Sequence, residues 1–398
     1  MDPYPRGDRY QALRSLEGDT AAEAIIQVLK TAGLRGMGGA GFPTGAKWEM
    51  VRGAAGAPKY VVCNADESEP GTFKDRQILE EAPHLVLEGM GIAARIIGAA
   101  ESILFLRHEY GRAREAVERE LPAYQRVPGE PPLRIFESPG GYICGEETAL
   151  LEALEGRRAE PRNKPPFPGT HGLFGRPTLI NNVETFGWVP AILARGADWF
   201  RDQGMNGAQG LKVIALSGDV KRPGVYEIPL GLPARELIER HGGGARGGPL
   251  KAFCPGGASA GFLPASLLDT PLDFSALAKL GSMLGSGAVV AIGPDRCMLD
   301  LALNLCRFFR NESCGKCVPC RSGSEKLVGL LERFRMGLGR PEDVALIEEL
   351  AEAMRLTSIC GLGQVAPAPF ISALQHFPDE IMAHVQEKRC PAGVCPIR

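Results

Sequence analysis

Three cysteines in one short segment could hold an inorganic centre. Cys314, Cys317 and Cys320 have the spacing C-x2-C-x2-C, which presents three thiolates to one site, and thiolates bind iron–sulfur clusters, zinc or copper(I). The bacterial ferredoxin run closes with a fourth cysteine three residues further on, followed by proline, whereas this chain continues Arg-Ser-Gly-Ser over 321–324. A distant ligand is therefore needed, and Cys360 is the first candidate.

The spacing favours a [4Fe–4S] cluster over the alternative, a structural zinc ion. Structural zinc sites usually combine two separated pairs of ligands, whereas this chain offers three cysteines in one run and then a single one. Because a cluster of this kind carries single electrons, we expect an electron source elsewhere in the chain.

A glycine-rich segment provides a candidate anion site. Gly36, Gly38 and Gly41 satisfy G-x-G-x-x-G, but the segment follows a predicted helix and precedes a proline, which is the wrong context for a dinucleotide fingerprint. Five glycines in the ten residues 36–45 nevertheless let backbone amides approach an anionic ligand closely, and Lys47 adds a positive charge. The alternative is a surface loop that needs glycine only for turning.

Polar residues follow a predicted buried strand at 60–63. Asn64, Asp66, Glu67 and Glu69 stand there, and ligands of open α/β sheets bind at the carboxyl ends of strands. Their oxygens suit a metal ion or ribose hydroxyls, and the alternative is a solvated acidic loop.

Two further segments contain polar side chains suited to ligand contacts. Asn181, Asn182 and Thr185 suit phosphate or polar ring contacts. Cys144 precedes two glutamates, whose negative field disfavours a reactive thiolate, so we interpret this cysteine as a packing residue. The six histidines are too dispersed to indicate a zinc site, and surface or capping roles are expected for all of them.

Composition excludes several protein classes. The length of 398 residues predicts two to four domains, and the net charge of −2 gives no indication of a nucleic-acid surface. No apolar run approaches the ~18 residues of a membrane span, and the first residues lack a secretory signal. Of the eleven cysteines, the seven that remain after the four proposed cluster ligands are scattered and do not resemble a disulfide framework. Thiolate clusters also favour a reducing compartment, so the cytoplasm is expected.

The pattern of elements predicts three domains. Strands near 60–63, 102–106 and 133–136 alternate with helices near 83–99 and 110–125, which predicts a parallel α/β sheet. A hairpin over 212–218 and 223–228, a helix at 234–239 and a strand at 288–292 indicate a small α+β domain. Helices at 297–310, 321–336, 341–356 and 367–387 predict a bundle that carries the cysteine loop between its first two members. The predicted boundaries are 1–204, 205–294 and 295–398.

These motifs together resemble the flavin-carrying, NADH-oxidising subunit of respiratory complex I, a module also found in NAD-linked formate dehydrogenases and in hydrogenases. The resemblance extends from about Leu34 to Cys360 and includes the specific segments 36–48, 60–76, 141–150, 161–185 and 312–321. It implies a Rossmann-like FMN- and NADH-binding α/β domain, a ubiquitin-like (SLBB-type) β-grasp domain and a C-terminal helical bundle with a [4Fe–4S] cluster.

The resemblance also implies roles for individual residues. The glycine loop of Gly36, Gly38, Gly39, Ala40 and Gly41 would hold the FMN phosphate, and Asn64, Asp66, Asn182 and Thr185 would hold the flavin. Phe42 and Phe167 would enclose the NADH adenine. The remaining implied cofactor-binding residues are Lys47, Glu67, Glu69, Tyr142, Gly145, Glu146, Glu147, Lys164 and Asn181, with Glu69 and Glu147 orienting NADH for reaction. The implied cluster ligands are Cys314, Cys317, Cys320 and Cys360.

The chain departs from the family pattern at three places. Met37 stands where an arginine is common, which removes a cation near the phosphates, and Met50 stands where some members have a second aromatic. The thioredoxin-like [2Fe–2S] extension of some relatives is expected to be lacking. Cys390 and Cys395 lie in a tail that resembles the lead into ferredoxin-like domains, and we expect these cysteines to be idle or linked to a partner rather than to form a complete site of their own.

The expected function is an NADH dehydrogenase (diaphorase) module that transfers hydride between NAD(H) and FMN, and then single electrons to the cluster and a partner subunit. One alternative is the reverse direction, as the NAD⁺-reducing component of a formate dehydrogenase, hydrogenase or electron-bifurcating complex. An alternative of a different class is an electron-relay or docking scaffold without NADH chemistry of its own. Expected partners are a thioredoxin-like [2Fe–2S] subunit and a larger iron–sulfur or catalytic subunit, in the cytoplasm or peripheral to a membrane complex.

Overall fold

The structure is a computed structural model that describes residues 1–4, 9–16 and 20–397. The described chain divides into two compact units. The first contains 1–68, 72–214 and 225–232, and the second contains 69–71, 215–224 and 233–398.

The first unit is built from alternating helices and strands. Its helices are α1 (Gln11–Arg14), α2 (Thr20–Thr31), α3 (Thr44–Gly53), α4 (Lys74–Glu81), α5 (Pro83–Ile97), α6 (Gly111–Gln125), α7 (Glu147–Leu154), α8 (Pro168–His171), α9 (Val183–Arg195) and α10 (Ala197–Arg201). Its sheet strands are β1 (Lys59–Ala65), β2 (Ala99–Arg107), β3 (Leu133–Ser138) and β4 (Thr178–Asn182), and short 3₁₀ turns span Tyr142–Gly145 and Leu173–Gly175.

The four strands form a parallel sheet in the order β3-β2-β1-β4. The apolar run of β1 is fully buried in its middle, as expected for a strand covered by helices on both faces. This confirms the predicted parallel α/β sheet. The strand β4 was not predicted, because it is short and directly follows a segment rich in glycine and proline. It pairs with β1 so that Asn181 lies opposite Cys63 and Asn182 opposite Asn64.

Two buried helices, α5 and α9, pack against each other at a glycine. A Cβ added to Gly89 of α5 would lie 2.1 Å from the carbonyl oxygen of Phe186 in α9. Only glycine therefore permits this approach, which fixes the position of α9 and of the residues at its N-terminus.

Four buried charged side chains join helices α4 and α9 to the chain at Lys212. Glu184, fully buried in α9, accepts hydrogen bonds from Lys212 at 2.5 Å and from the backbone amide of Val213 at 2.7 Å. Lys74 in α4 contacts Glu184 at 2.9 Å and Asp75 at 2.6 Å. We call Lys74, Asp75, Glu184 and Lys212 the buried charge cluster. With two lysines and two carboxylates it is electrically balanced, the condition under which buried charge is tolerated.

The second unit contains most of the other sheet and a helical region. The strands of this sheet are β5 (Leu211–Gly218), β6 (Gly224–Pro229), β7 (Ala252–Cys254), β8 (Leu263–Pro264) and β9 (Ala288–Ile292), in the order β6-β5-β9-β7-β8. The helices are α11 (Ala234–Glu236), α12 (Phe274–Lys279), α13 (Met298–Asn311), α14 (Val318–Arg335), α15 (Pro341–Thr357), α16 (Gly361–Val365), α17 (Ala368–His376) and α18 (Pro378–Val385). A π-helical turn spans Leu237–His241, and 3₁₀ turns span Ala258–Ala260 and Ala265–Leu267.

This sheet is mixed, since β9 runs parallel to β5 and antiparallel to β7. The predicted α+β character and the C-terminal helices are confirmed, whereas the boundaries at 204 and 294 remain a prediction. The single helix predicted over 367–387 is wrong, because Phe377 has φ −134° and separates two helices. Pro378 causes the break, since proline lacks an amide hydrogen and disfavours helical backbone in the preceding residue. None of the described helices combines the length and apolar character needed to cross a bilayer.

Replacing Lys212 by methionine should destabilise the first unit strongly. The change leaves Glu184 buried with half of its positive partners, and breaking a buried ion pair in this way costs about 3–5 kcal/mol. Urea unfolding followed by tryptophan fluorescence measures the effect, because Trp188 is buried and its indole donates to Glu184 at 3.3 Å. Lys279→Met, at an exposed position, is the control. A loss no larger than that of the control would show that the cluster contributes little to stability.

Candidate functional site

The glycine loop lies against the N-terminus of α9. The amide of Met37 donates to the Thr185 hydroxyl at 2.9 Å, and a Cβ added to Gly38 would come within 3.0 Å of the Asn182 Cβ. Gly41 has a positive φ of 64° and closes the loop with a hydrogen bond from its amide to the Gly36 carbonyl at 3.2 Å. The loop is therefore fixed at both ends.

Between those ends, three consecutive amides are available to a ligand. Within the described part of the chain, the amides of Gly38, Gly39 and Ala40 donate to no acceptor. Successive free amides in a turn form an anion-binding concavity. The loop can thus receive an anionic group, and its role in holding the FMN phosphate remains a prediction.

Asn182 and Asn181 have structural hydrogen bonds beside this loop. Asn182 caps α9 by accepting from the Glu184 amide at 3.0 Å, and its own amide group donates to Asp75 at 2.5 Å. Asn181 accepts from the Trp48 indole at 3.0 Å. Both side chains therefore help to fix the loop-facing edge of the sheet.

At the end of β1, Asn64 and Asp66 hold neighbouring turns in place. Asn64 donates to the carbonyl of Gly145 at 2.8 Å, which ties the turn Tyr142–Gly145 to the sheet. Asp66 accepts hydrogen bonds from the hydroxyls of Ser68 and Ser138, and Ser138 is the last residue of β3. Burial raises the pKa of Asp66 from its ordinary value, against the opposing effect of these two hydrogen bonds.

The Glu67 carboxylate is directed at the N-terminus of α4 and not at solvent. Its carboxylate accepts from the amides of Asp75 at 2.9 Å and Arg76 at 3.1 Å, and from the Tyr110 hydroxyl at 2.9 Å. Burial, together with the charge of Asp75, raises the pKa of Glu67 to about 7. In this structure Glu67 therefore acts as the N-terminal cap of α4.

A chain of alternating charges runs between α3 and α7. Glu147 lies 3.6 Å from Lys47 on one side and 3.4 Å from Lys164 on the other. Lys164 also reaches Glu146 at 3.0 Å, and Glu146 caps α7 by accepting from the Ala149 amide at 2.9 Å. Burial lowers the pKa of Lys47. Burial also acts to lower the pKa of Lys164, but Glu146 outweighs this effect and raises it.

This arrangement brings together four residues that the resemblance predicted as cofactor-binding, drawn from three separate segments of the chain. Glu147 is partly exposed, with a side-chain exposure of 30%, so it can still accept hydrogen bonds from a ligand. Tyr142 begins the 3₁₀ turn that precedes α7 and is half-buried.

Two exposed aromatic rings flank α3. Phe42, two residues before α3, is 50% exposed, and Phe167, which directly precedes α8, is 56% exposed. The start of α8 lies against α3, because a Cβ on Gly169 would be 3.8 Å from the sulfur of Met50, itself 46% exposed. Exposed aromatic surface of this kind is typical of a stacking site for a planar ring.

Glu69 is placed with the second unit rather than the first. Its Oε1 accepts from the amide of Ser259 at 2.7 Å, and Gly257 lies so close that a Cβ there would be 2.7 Å from the Glu69 Cγ. Its predicted role toward NADH remains a prediction.

The four predicted cluster cysteines converge on two packed helices. Cys314 lies in the loop after α13, Cys317 caps α14, and Cys320 is inside α14, one turn earlier than the predicted start of that helix. Cys360 caps α16, and a Cβ on Gly363 in that helix would lie 2.8 Å from the Cys320 Cβ. Cys360 therefore starts a helix that packs on Cys320, and its role as the fourth cluster ligand remains a prediction.

Four thiols of this kind suit a thiolate-bound metal or iron–sulfur centre. None of these four described cysteines forms a disulfide, and the Ser313 hydroxyl lies 3.2 Å from the sulfur of Cys320. Burial raises the pKa of Cys320, so its thiolate needs a cation.

The pairing of the four residues in the buried charge cluster was not predicted from the sequence. Burial acts to raise the pKa of Glu184, but Lys212 and Lys74 outweigh it and lower it, whereas burial lowers the pKa of Lys212 to about 8. The available signal was a lysine within the apolar run Leu211–Ile214, since a charge in a buried strand requires a partner. The packing role predicted for Cys144 agrees with its full burial.

Family models match most of the chain. A model described as the Nuo51 FMN-binding domain matches residues 29–191, an SLBB domain model matches 213–263, and a model of the NADH-ubiquinone oxidoreductase-F iron-sulfur binding region matches 300–384.

Individual relatives agree with these matches. An F-type subunit of NADH-quinone oxidoreductase in Rhizobium meliloti is 45% identical over 98% of this chain and 96% of its own length. The HndC subunit of the NADP-reducing hydrogenase of Solidesulfovibrio fructosivorans is 42% identical over 98% of this chain and 82% of its own. A solved structure of an NAD⁺-reducing [NiFe]-hydrogenase has a TM-score of 0.87 and 38% identity, covering 94% of this chain and 65% of the hydrogenase chain.

The relatives are named as subunits of larger enzymes, and similarity at this level over nearly the whole length establishes common membership. The chain therefore belongs to the family of F-type subunits of NADH-quinone oxidoreductase, flavin- and iron–sulfur-dependent oxidoreductase components that use FMN, NAD(H) and one [4Fe–4S] cluster.

Proposed function

We propose that this chain is the NADH-oxidising module of a multisubunit oxidoreductase, with the FMN phosphate held by the loop 36–41 and the cluster held by Cys314, Cys317, Cys320 and Cys360. The observation that carries the proposal is the glycine loop, whose three free amides are fixed against Thr185 and Asn182. When bound, FMN supplies hydride exchange with NADH and one-electron exchange with the cluster.

The residues of the chain position the reactants rather than move protons. Hydride carries its own electron pair, so no general base is required. Glu147, held between Lys47 and Lys164, would accept hydrogen bonds from the ribose or carboxamide of NADH, and Glu69 would assist. Phe42 and Phe167 would stack on the adenine, since both rings are exposed.

The relatives support the existence of partner subunits, and the particular partners and the direction of electron transfer are part of this proposal. A thioredoxin-like [2Fe–2S] subunit and a larger iron–sulfur or catalytic subunit would receive the electrons, with the complex in the cytoplasm or peripheral to a membrane. The second candidate function is NAD⁺ reduction. It is favoured by the solved relative named as an NAD⁺-reducing hydrogenase, and HndC is named as a subunit of a hydrogenase that reduces NADP. The reduction potentials of the partner subunits decide between the two directions, because the same site serves both.

We also propose that the chain has three domains, with boundaries at residues 204 and 294.

The experiment that tests the function is NADH–ferricyanide oxidoreduction by the purified, FMN-loaded chain. Glu147→Gln should raise KM for NADH about tenfold, a loss of ~1.4 kcal/mol in binding, with FMN content unchanged. Glu49→Gln on the exposed face of α3 is the control. No activity in the loaded wild-type chain would favour the docking scaffold, and flavin loss in Glu147→Gln would contradict the role given to Glu147.

Gly38→Ala should weaken FMN binding without unfolding the unit. The added methyl would lie 3.0 Å from the Asn182 Cβ, so the loop must shift away from α9 and its amides with it. We expect the dissociation constant for FMN to rise about tenfold or more, measured by quenching of flavin fluorescence. Gly53→Ala, where a Cβ meets nothing within 4 Å, should bind as the wild type does. Equal affinities of the two variants would place the phosphate elsewhere.

Cys360→Ser should remove the cluster and leave the flavin. Loss of one of four thiolates leaves an iron site open, so iron content and the cluster's electron paramagnetic resonance signal should fall severalfold at constant FMN content. Cys306→Ala is the control, because Cys306 is buried with its sulfur 3.5 Å from the Ala366 carbonyl. Full iron content in Cys360→Ser would assign the fourth ligand to another residue.

A further inference from the structure

A second group of metal-ligand side chains lies in the helical region, separate from the cluster cysteines. The donor atoms of Cys297, His384, Cys390 and Cys395 all lie within 4.8 Å of one another. Three of these residues lie outside the iron–sulfur region matched by the family model, which ends at residue 384. We propose that the four residues bind one zinc ion in a structural Cys₃His site.

The distances suit a single tetrahedral ion. The sulfurs of Cys297 and Cys395 are 3.7 Å apart, and the Cys297 sulfur is 3.5 Å from Nε2 of His384. Zinc bonds of about 2.3 Å to sulfur and about 2.0–2.1 Å to nitrogen, in tetrahedral geometry, require about 3.8 Å and about 3.6 Å. The observed separations agree with both, and they exceed the ~2.05 Å of a disulfide.

The imidazole is oriented for metal binding. Nδ1 of His384 lies 2.8 Å from the carbonyl oxygen of Glu380, and since a carbonyl only accepts, Nδ1 carries the hydrogen. The lone pair of Nε2 then faces the Cys297 sulfur. A hydrogen bond of this kind, from the remote ring nitrogen to a backbone carbonyl or a similar acceptor, accompanies nearly every histidine that binds a metal. His384 is fully buried, which corrects the expectation of a surface or capping role.

The turn after α18 directs two backbone amides at the Cys390 sulfur. The Cys390 sulfur accepts from the amides of Val394 at 3.3 Å and Cys395 at 3.4 Å. Donors of this kind stabilise a thiolate, the form that binds zinc.

Cys₃His is one of the standard ligand sets of structural zinc, and a closed site without an open position is the structural type. The proposal replaces the expectation that Cys390 and Cys395 are idle or linked to a partner. Sequence could not reveal the site, because Cys297 precedes Cys395 by nearly a hundred positions and only folding brings them together.

The ion would fasten the two ends of the helical region. Cys297 caps the first helix, α13, whereas His384 lies in the last, α18, and the two remaining ligands follow it. Closing so long a loop restricts the unfolded chain and stabilises the folded one. The zinc therefore has a structural role and takes no electrons, unlike the cluster.

Metal analysis of the full-length, cluster-loaded chain tests the proposal. We expect ~1 zinc per chain in addition to the cluster iron, and Co²⁺ in its place should show the visible absorption of a tetrahedral thiolate site. A wild-type chain that binds neither zinc nor Co²⁺ would overturn the proposal, as would iron in the site instead of zinc.

Variants separate this site from the cluster. Cys395→Ala should lose the zinc, lower Tm by several degrees and keep the cluster iron, whereas His384→Cys should retain zinc through four thiolates. Cys306→Ala is the matched control and should keep both metals, and Cys360→Ser should lose iron but keep zinc. Unchanged zinc in Cys395→Ala, or joint loss of zinc and iron in both ligand variants, would contradict two independent sites.

Discussion

The buried charge cluster is the constraint on which the first unit depends. Glu184 must remain paired with Lys74 and Lys212, because each of these side chains is almost completely removed from water. Lys74 begins α4, Glu184 lies in the first turn of α9, and Lys212 lies in β5, so the pairing fixes three elements at one point. Asn182 adds a hydrogen bond from its amide group to Asp75. A loop that packs on Asn182 and Thr185 is thereby held at a rigid base.

The residues that hold the site together differ from the groups that remain available to a ligand. Asn64, Asp66, Glu67 and Asn182 carry the types of side chain that bind ligands, yet in this structure they join turns and cap helices. The groups that remain open to a ligand are the amides of the glycine loop, the exposed rings of Phe42 and Phe167, and Glu147 between its lysines. Preorganisation of this kind lowers the entropy lost when a cofactor binds.

The cysteines of the second unit form two groups with different chemistry. Cys314 lies in a loop, Cys317 and Cys320 lie at and within the start of α14, and Cys360 precedes α16; these four are the predicted cluster ligands. The group of Cys297, His384, Cys390 and Cys395 is compact enough for one ion. Local spacing identified the first group, since three of its members lie within seven residues. The second group was hidden, because its members come from both ends of the helical region.

Local patterns along the chain were enough to predict the parallel sheet, the glycine loop, the cysteine run and the family, because each depends on residues close together in the chain or on a periodic apolar pattern. Those patterns did not reveal β4, the break at Phe377, the capping role of Glu67 or the pairing of Lys212 with Glu184. These features became visible in the folded chain, since burial and pairing between distant residues arise from packing. A charged or thiol side chain acquires its role from neighbours that local sequence does not specify.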